Sequence, residues 1–373
     1  MAEQFPQPAQ QQLYSLNLGP QHPSTHGVLR VLLTLDGEYI LEADPIIGYG
    51  HRGHEKMGEN RTYLQFMPNA SRMDYLSGLL YNHGFCLAVE KLAGIEPPER
   101  AKYIRVICAE LNRISSHLLW FGTFLMDLGA FTPFLYCFDD RENILDILDR
   151  VSGSRLTYSY CRFGGVARDV DDVFIEQTRA FIKRLRSRWP DYHNLVTKNV
   201  IFIHRVRDVG IIDKDLARRF GVTGPNLRAA GVAFDMRKVE PYEVYDRFDF
   251  EIPTGSKGDA LDRYRVRLEE MEQSCRIIEQ ALDQMPDGPY RQERVRLKVK
   301  PPRGEVYFAF ESARGQTAYY LVSDGSPYPY RVHVRVPSFG NLHCLTEVLK
   351  ETLVADAIAI LGSIDIVVPE IDR

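Results

Sequence analysis

Apolar residues alternate with polar ones through Leu29, Val31, Leu33 and Leu35, and Asp36-Gly37 follows at once. A period of two puts those four side chains on one face of a strand, and Asp-Gly is a two-residue hairpin turn, so a β-hairpin is expected here. Between Ile104 and Leu128 the period changes. Apolar residues at 104, 107, 111, 114, 118, 121, 125 and 128 are spaced three and four apart, the stripe of a helix with one buried face. A second row runs one position earlier in each turn: Glu110, Arg113, His117, Trp120, Phe124 and Asp127. The two rows together are wider than a surface helix usually buries. Charged side chains are almost never fully buried unless paired. The second row is therefore either a solvated flank or the lining of a functional interior, and pattern alone favours the flank. Pro97-Pro98 opens this helix, and Gly129 and Pro133 are expected to end it, which leaves Asp127 at its C-terminal end.

Other elements follow from the same reading. The loop Gly48 to Lys56 leads into a helical stretch that Pro68 should close. Ser71 with Asp74 three residues on reads as a capping box, which starts a helix at about Arg72, places Tyr75 in its first turn and runs to about Leu92, before Gly94. Helices are expected from about Arg141 to Val151, over 172–198, and from Leu261, where Leu261, Tyr264, Leu268, Met271, Cys275, Ile278 and Leu282 share one face. Residues 305–311 and 317–323 read as strands, Tyr330 to Val336 alternates, and a helix lies near 351–361. The expected fold is mainly α with small α+β N- and C-terminal parts. It divides into a mobile tail at 1–11, a β-hairpin region at 12–50, a helical core at 51–300 and an α+β region at 301–373.

Composition narrows the function. The chain has 373 residues and 45% hydrophobic content, enough for a large core. Its net charge is −4, from 46 basic and 50 acidic residues, which gives no field for nucleic acid. Six cysteines, at 86, 108, 137, 161, 275 and 344, form no C-x-x-C pair and no metal-ligand spacing, as expected of buried, reduced thiols. The start, MAEQFPQPAQQQ, lacks the basic and apolar regions of a secretory signal. No apolar run reaches the roughly 20 residues of a membrane helix; Val354 to Val368 is interrupted by Asp356 and Asp365.

The least ordinary stretch is Gly19 to Arg30, GPQHPSTHGVLR, a loop stiffened by Pro20 and Pro23 that carries His22 and His26. Its histidines are either exposed turn residues or functional groups. The Gly-rich, basic TGPNLRAAGVAFDMRK at 223–238 matches neither phosphate-binding glycine pattern, which argues against a nucleotide site.

GPQHPSTHG, GYGHRGHEK, ENRTYLQ, RMDYLSG, ELNRISSHLLW, DLGAFTPF, RFGGVARD, GPNLRAAGVAFDMRK and ADAIAILGSIDIVVPEIDR occur in this order. Together they resemble the hydrogenase-large-subunit-like, quinone-site subunit of respiratory complex I, the bacterial NADH-quinone oxidoreductase, over nearly the whole chain. The resemblance implies a nickel–iron-hydrogenase large-subunit-like fold and a proton-translocating complex that reduces quinone. The quinone site would be shared with a small subunit carrying an iron–sulfur cluster, and this chain would bind no metal or cluster itself. Further partners would be the other hydrophilic-arm subunits and a membrane quinone-channel subunit, with the chain peripheral on the cytoplasmic face of the membrane. The family's quinone-headgroup residues fall on His26, Tyr75 and Asp127, a pocket-lining position on Thr123, and an arginine near the cluster on Arg52. Many members have SGARMH where this chain has Ser152-Gly-Ser-Arg-Leu-Thr157. With Thr157 in place of that histidine, the tie between cluster potential and protonation is in question, and a lower-potential quinone is favoured.

Three alternatives bear on this reading. A ferredoxin- or deazaflavin-linked complex would use an equivalent subunit. A nickel–iron hydrogenase has the related architecture but holds its metal through two C-x-x-C pairs, and neither the early loop nor the tail has a cysteine. A scaffold subunit would not need His26, Tyr75 and Asp127 together.

Overall fold

The computed structural model describes residues 13–21, 27–293 and 298–373. The expected mobile tail at 1–11, and both His22 and His26, lie outside the described residues.

The chain opens on a three-stranded antiparallel sheet of β1 (Leu13–Leu18), β2 (Arg30–Asp36) and β3 (Tyr39–Ile46). The hairpin forms one residue later than the Asp36-Gly37 signal places it: Asp36 still pairs with Tyr39, so the turn residues are Gly37, at φ 62°, and Glu38, and β1 adds a third strand. Short helices α1 (His54–Glu59) and α2 (Tyr63–Ala70) follow. A capping box does form here, but at Thr62 and Gln65, starting α2. α2 also runs two residues past Pro68.

The expected box at Ser71 and Asp74 is absent. Ser71 ends α2 and donates its hydroxyl back to Pro68 O, and α3 (Gly78–Ala93) begins only at Gly78. Asp74 is buried and receives Leu76 N, Ser77 N and the Arg314 guanidinium. Tyr75 therefore stands on a tight turn between two helices, not in a first helical turn.

α4 (Glu99–Asp127) is the long central helix and ends at Asp127 as expected. α5 (Phe131–Ser152) starts ten residues before the expected Arg141. Pro133 belongs to its first turn, where no N–H is needed, so it opens α5 instead of closing α4. Two-residue strands β4 (Cys161–Arg162) and β5 (Gly165–Val166) precede α6 (Asp172–Tyr192), which passes into a π-turn at His193–Thr197. Short helices α7 (Val200–Val206), α8 (Lys214–Phe220), α9 (Pro225–Ala229) and α10 (Met236–Val239) lead to the long α11 (Ala260–Gln284). A second antiparallel sheet, β6 (Gly304–Ser312), β7 (Gly315–Ser323) and β8 (Arg331–Arg335), lies over α3. Helices α12 (Pro337–His343), α13 (Leu345–Val348), α14 (Val354–Ile364) and α15 (Val368–Asp372) close the chain.

The second row of α4 is not a solvated flank. Glu110, Arg113, His117, Trp120 and Phe124 are all buried, and each polar group has a partner remote in sequence. Glu110 accepts from Arg113, Arg237, Tyr245 and Ser274, and His117 meets Glu270 of α11 at 3.1 Å. Arg228 of α9 bridges Glu270 at 2.6 Å and Glu311 at 2.8 Å. α11 is likewise buried on the face carrying Arg263, Arg267 and Glu270 as well as on its apolar face. The helical middle is thus held by apolar packing and by a buried ionic network between α4, α9, α10 and α11.

A second core joins the two ends of the chain. Leu29, Val31, Leu33 and Ile40 pack with Leu345, Leu349, Ile360 and Ile364, and Ile40 exchanges backbone hydrogen bonds with Glu351 and Thr352. Among the described residues no helix is long and apolar enough to cross a membrane.

Candidate functional site

The segment 362–373 is the hub. α14 ends at Ile364, and Asp365 turns the chain in a left-handed conformation (φ 58°) before it runs on to α15. The last carbonyls of a helix have no partner within it. Here Trp120 Nε1 of α4 donates to Gly362 O at 2.7 Å, Arg267 of α11 to Ser363 O and Ile364 O, and Asn226 of α9 also to Ile364 O. Placing Arg267 at the negative end of α14 is favourable in itself. Burial pushes the Arg267 guanidinium down to about 10, against the pull of Asp365.

From this hub the site can be built residue by residue. Arg314, in the turn between β6 and β7, donates to Asp74 Oδ2 at 2.8 Å and to Asp365 Oδ1 at 3.3 Å. One guanidinium thus ties the turn bearing Tyr75 to the end of α14. Tyr75 itself is 37% exposed; partial burial raises its phenol, opposed by Arg314 and assisted by Asp74. It is a neutral hydroxyl donor at ordinary pH.

Asp127 reaches the same segment from the other side. A Cβ on Gly362 would lie 2.9 Å from Phe124 and 3.8 Å from an Asp127 carboxylate oxygen, so the absence of a side chain at 362 lets the end of α4 close on α14. Thr123, one turn earlier, gives its hydroxyl to Leu119 O and Trp120 O of its own helix.

The two glycine-rich loops meet the end of the chain as well. Gly27, the residue after His26, faces Val368. Asp372 receives Gly48 N at 2.7 Å and Gly50 N at 2.5 Å, and its carbonyl lies 2.6 Å from His51 Nδ1. Arg373 pairs with Glu55. A cleft of about 350 Å³ opens where these pieces join, lined by His51, Gly53, Glu55, Arg331, Asp372 and Arg373. His54 is buried; burial and then the Arg52 guanidinium push its imidazole down to about 4, leaving it neutral.

Arg52 reaches the Tyr75 turn at its start, and the backbone beside Thr157 passes its end. The exposed Arg52 guanidinium donates to Arg72 O at 3.4 Å. Thr157 is half-buried, and the carbonyl of its neighbour Leu156 lies against Gly78, where α3 starts. Among the described residues no group of three or more His, Cys, Asp and Glu side chains is arranged to hold a metal ion.

Residues 127–373 match the family described as respiratory-chain NADH dehydrogenase, 49 Kd subunit. An NADH-quinone oxidoreductase subunit of Syntrophobacter fumaroxidans is 75% identical over 373 residues, 100% of either chain. The chain belongs to this 49 Kd subunit family. The corresponding NADH-quinone oxidoreductase subunit of Desulfotalea psychrophila is 56% identical over 96% of this chain and 97% of its own, and that of Geobacillus thermodenitrificans 52% over 96% and 98%. The chain is thus a subunit of a complex I-type NADH-quinone oxidoreductase and implies the other subunits of that complex.

Of the residues expected to act in this 49 Kd-type chain, the fold brings Tyr75 and Asp127 to one segment, 362–365, and sets Arg52 and Thr157 around the Tyr75 turn. Sequence reading missed the residues that do the gathering: Arg314, Asp365, Gly362 and Asp372. A signal for two of them was present. Asp365 and Asp372, like Glu370 between them, stand in a strongly apolar tail, where an acidic residue needs a buried partner. The glycine-rich 223–238 stretch turns out to be structural, since Asn226, Arg228 and Arg237 are buried with protein partners.

Proposed function

We propose that this chain forms the quinone-reduction site of its complex together with an iron–sulfur small subunit, as part of a proton-translocating machine. One observation carries the reading: a single C-terminal segment gathers the Tyr75 turn, the Asp127 end of α4 and the flank of the His26 loop. Reduction of a quinone puts negative charge on two oxygens and ends with two protons taken up, so the site needs fixed donors. Tyr75 supplies an uncharged hydroxyl, and His26 an imidazole. Asp127 fixes the tautomer of His26 and stabilises its charged form, since a nearby carboxylate raises an imidazole's pKa.

The surroundings of Asp127 suit an apolar substrate and partner. Met126, Phe131 and Leu135 are exposed beside it, and Val200 and Ile201 project from α7, which a Phe124–Phe202 ring contact holds against α4. An exposed apolar patch of this kind marks an interaction surface. In this reading it faces the membrane quinone-channel subunit on the cytoplasmic side, and Arg52 and Thr157 face the cluster-bearing subunit. The hydrogenase-type alternative requires cysteines in the 48–56 loop and the tail. These two segments do meet here, but through Asp372 and backbone amides.

The test is quinone reduction measured beside artificial-acceptor reduction in the same membranes. Tyr75→Phe and His26→Ala should each lower quinone turnover severely while the acceptor activity stays. Asp127→Asn should do less, because it keeps the shape and loses only charge. Normal quinone turnover in Tyr75→Phe would show that Tyr75 is not the donor.

A further inference from the structure

Glu370 of α15 is fully buried and feels the Asp74 carboxylate of the Tyr75 turn, and no cation among the described residues is within pairing distance of it. Tyr81 of α3 lies 2.6 Å from its Oε1 and Ser338 of α12 2.5 Å from its Oε2. Both partners are hydroxyls, which can donate to a carboxylate or accept from a carboxylic acid. Thr317 Oγ1 lies 3.5 Å from the Tyr81 hydroxyl and can donate or accept, so Tyr81 has a second partner in either case, while Ser338 Oγ receives Val367 N and donates to Oε2 throughout, which leaves Oε1 as the place for the proton.

The groups facing Glu370 from the surrounding elements are Asp74, Tyr81, Arg314, Tyr319, Arg335 and Ser338. The two cations are committed elsewhere. Arg314 is shared by Asp74 and Asp365. Arg335 donates to Thr223 Oγ1, Gln316 O and Gly221 O. The ionic cluster next to Tyr75 thus balances as Asp74 and Asp365 against Arg314 and Arg267. An ionised Glu370 would add a third carboxylate facing only Arg335 as an unmatched cation, with no ion pair joining the two because Arg335 is spent on three neutral oxygens, and a buried charge without a contact partner is costly.

We propose that Glu370 is a positioning residue that holds a proton while the Tyr75 turn is in place, and that its ionisation weakens the Asp74–Arg314 pair on which that turn hangs. The inference rests on the reading of Tyr75 as the quinone donor for its effect on turnover, though not for the proton itself. Burial and then the neighbouring Asp74 carboxylate raise Glu370 to about 7. The ionisation therefore falls in the working range of pH.

Two readouts on the intact complex separate these parts. Infrared titration should show a protonated carboxyl band that is lost as pH rises through neutrality, and Glu370→Gln should remove it. In the wild type, kcat for quinone should fall several-fold across the same range, with KM for quinone and artificial-acceptor reduction steady. In Glu370→Gln the alkaline fall should vanish. Tyr81→Phe removes a donor to the charged form, so it should move both midpoints to higher pH, and it serves as the second variant if Glu370→Gln fails to assemble. A carboxyl band unchanged in Glu370→Gln, or unshifted in Tyr81→Phe, would overturn the proton assignment. A band that disappears while the alkaline fall in kcat remains would overturn the positioning role. Turnover intact in Tyr75→Phe with the band still assigned to Glu370 would instead locate the failure in the quinone-donor reading.

Discussion

Three buried carboxylates, Glu110, Glu243 and Glu270, set the acid limit of this chain. Burial alone would raise them, but guanidiniums overcome it: Arg113 and Arg237 at Glu110, Arg105 at Glu243 and Arg228 at Glu270. Each falls from 4.5 to about 2. A carboxyl depressed in the folded state stabilises above its unfolded pKa, and that stability is lost as pH falls through the folded value. The melting temperature of the complex should therefore drop steeply for this chain between pH 4.5 and 2, and a flat profile would contradict the pairings. Glu370 has the opposite sign. Its raised pKa makes the fold bind a proton that the unfolded chain releases, so its contribution falls as pH rises from 4.5 to about 7. Thr157 bears on a different measurement. With no protonatable group there, the cluster of the small subunit proposed above should titrate by EPR with a slope well below ~59 mV per pH unit, the one-electron value, and a full slope would mean that another group had taken the role. At this scale resemblance named Tyr75 and Asp127, which the fold sets on two sides of 362–365, and sequence told least where a residue depends on a remote partner. Nothing near Tyr75 in sequence announces Arg314, 239 positions away.

At the scale of elements, periodicity located α4, α11, β2 and β8, because each buries a regular apolar face, and it gave no sign of β1, whose side chains stay mostly exposed. It misjudged the second face of α4, since local pattern cannot tell a solvated charge from one paired across 127 or 153 positions. The start of α3 was misplaced for a related reason: Asp74 gives one carboxylate oxygen to Leu76 N and Ser77 N and the other to the remote Arg314, so it holds a turn ahead of the helix instead of reaching back to Ser71 N. These pairings predict a large effect at Arg228. Arg228→Met leaves Glu270 and Glu311 buried without their cation and should destabilise by about 3–5 kcal/mol, read as a lowered melting temperature or loss of the chain from the complex. Near-normal stability would mean that water or a rearranged Arg237 replaces it. Gly362→Ala tests the junction of α14 with α4. A methyl group there meets Phe124 at 2.9 Å, so the end of α4 must shift and carry Asp127 with it. Quinone turnover should fall while artificial-acceptor reduction persists.

For the molecule as a whole, the ends of the chain make one structure. The N-terminal sheet and the C-terminal helices share a core, and the last twelve residues close over the loops and helix ends that carry the candidate site. Sequence reading drew the two ends as separate flanks of a helical middle, because their contact spans more than 300 positions and leaves no local trace. If the C-terminal segment organises a quinone site, labelling should concentrate around it, and another cleft offers a clear contrast. A space of about 510 Å³ lined by Glu90, Lys91, Lys102, Tyr242, Glu243 and Phe308 shares no residue with the hub. The most direct measurement is labelling of the intact complex with a photoreactive quinone, followed by peptide mapping of this chain. Adducts on Tyr75, on the 124–131 stretch or on 362–365, competed away by unlabelled quinone, are the predicted result. Competable adducts confined to the cleft at Glu90 and Tyr242, with none on those three segments, would contradict it.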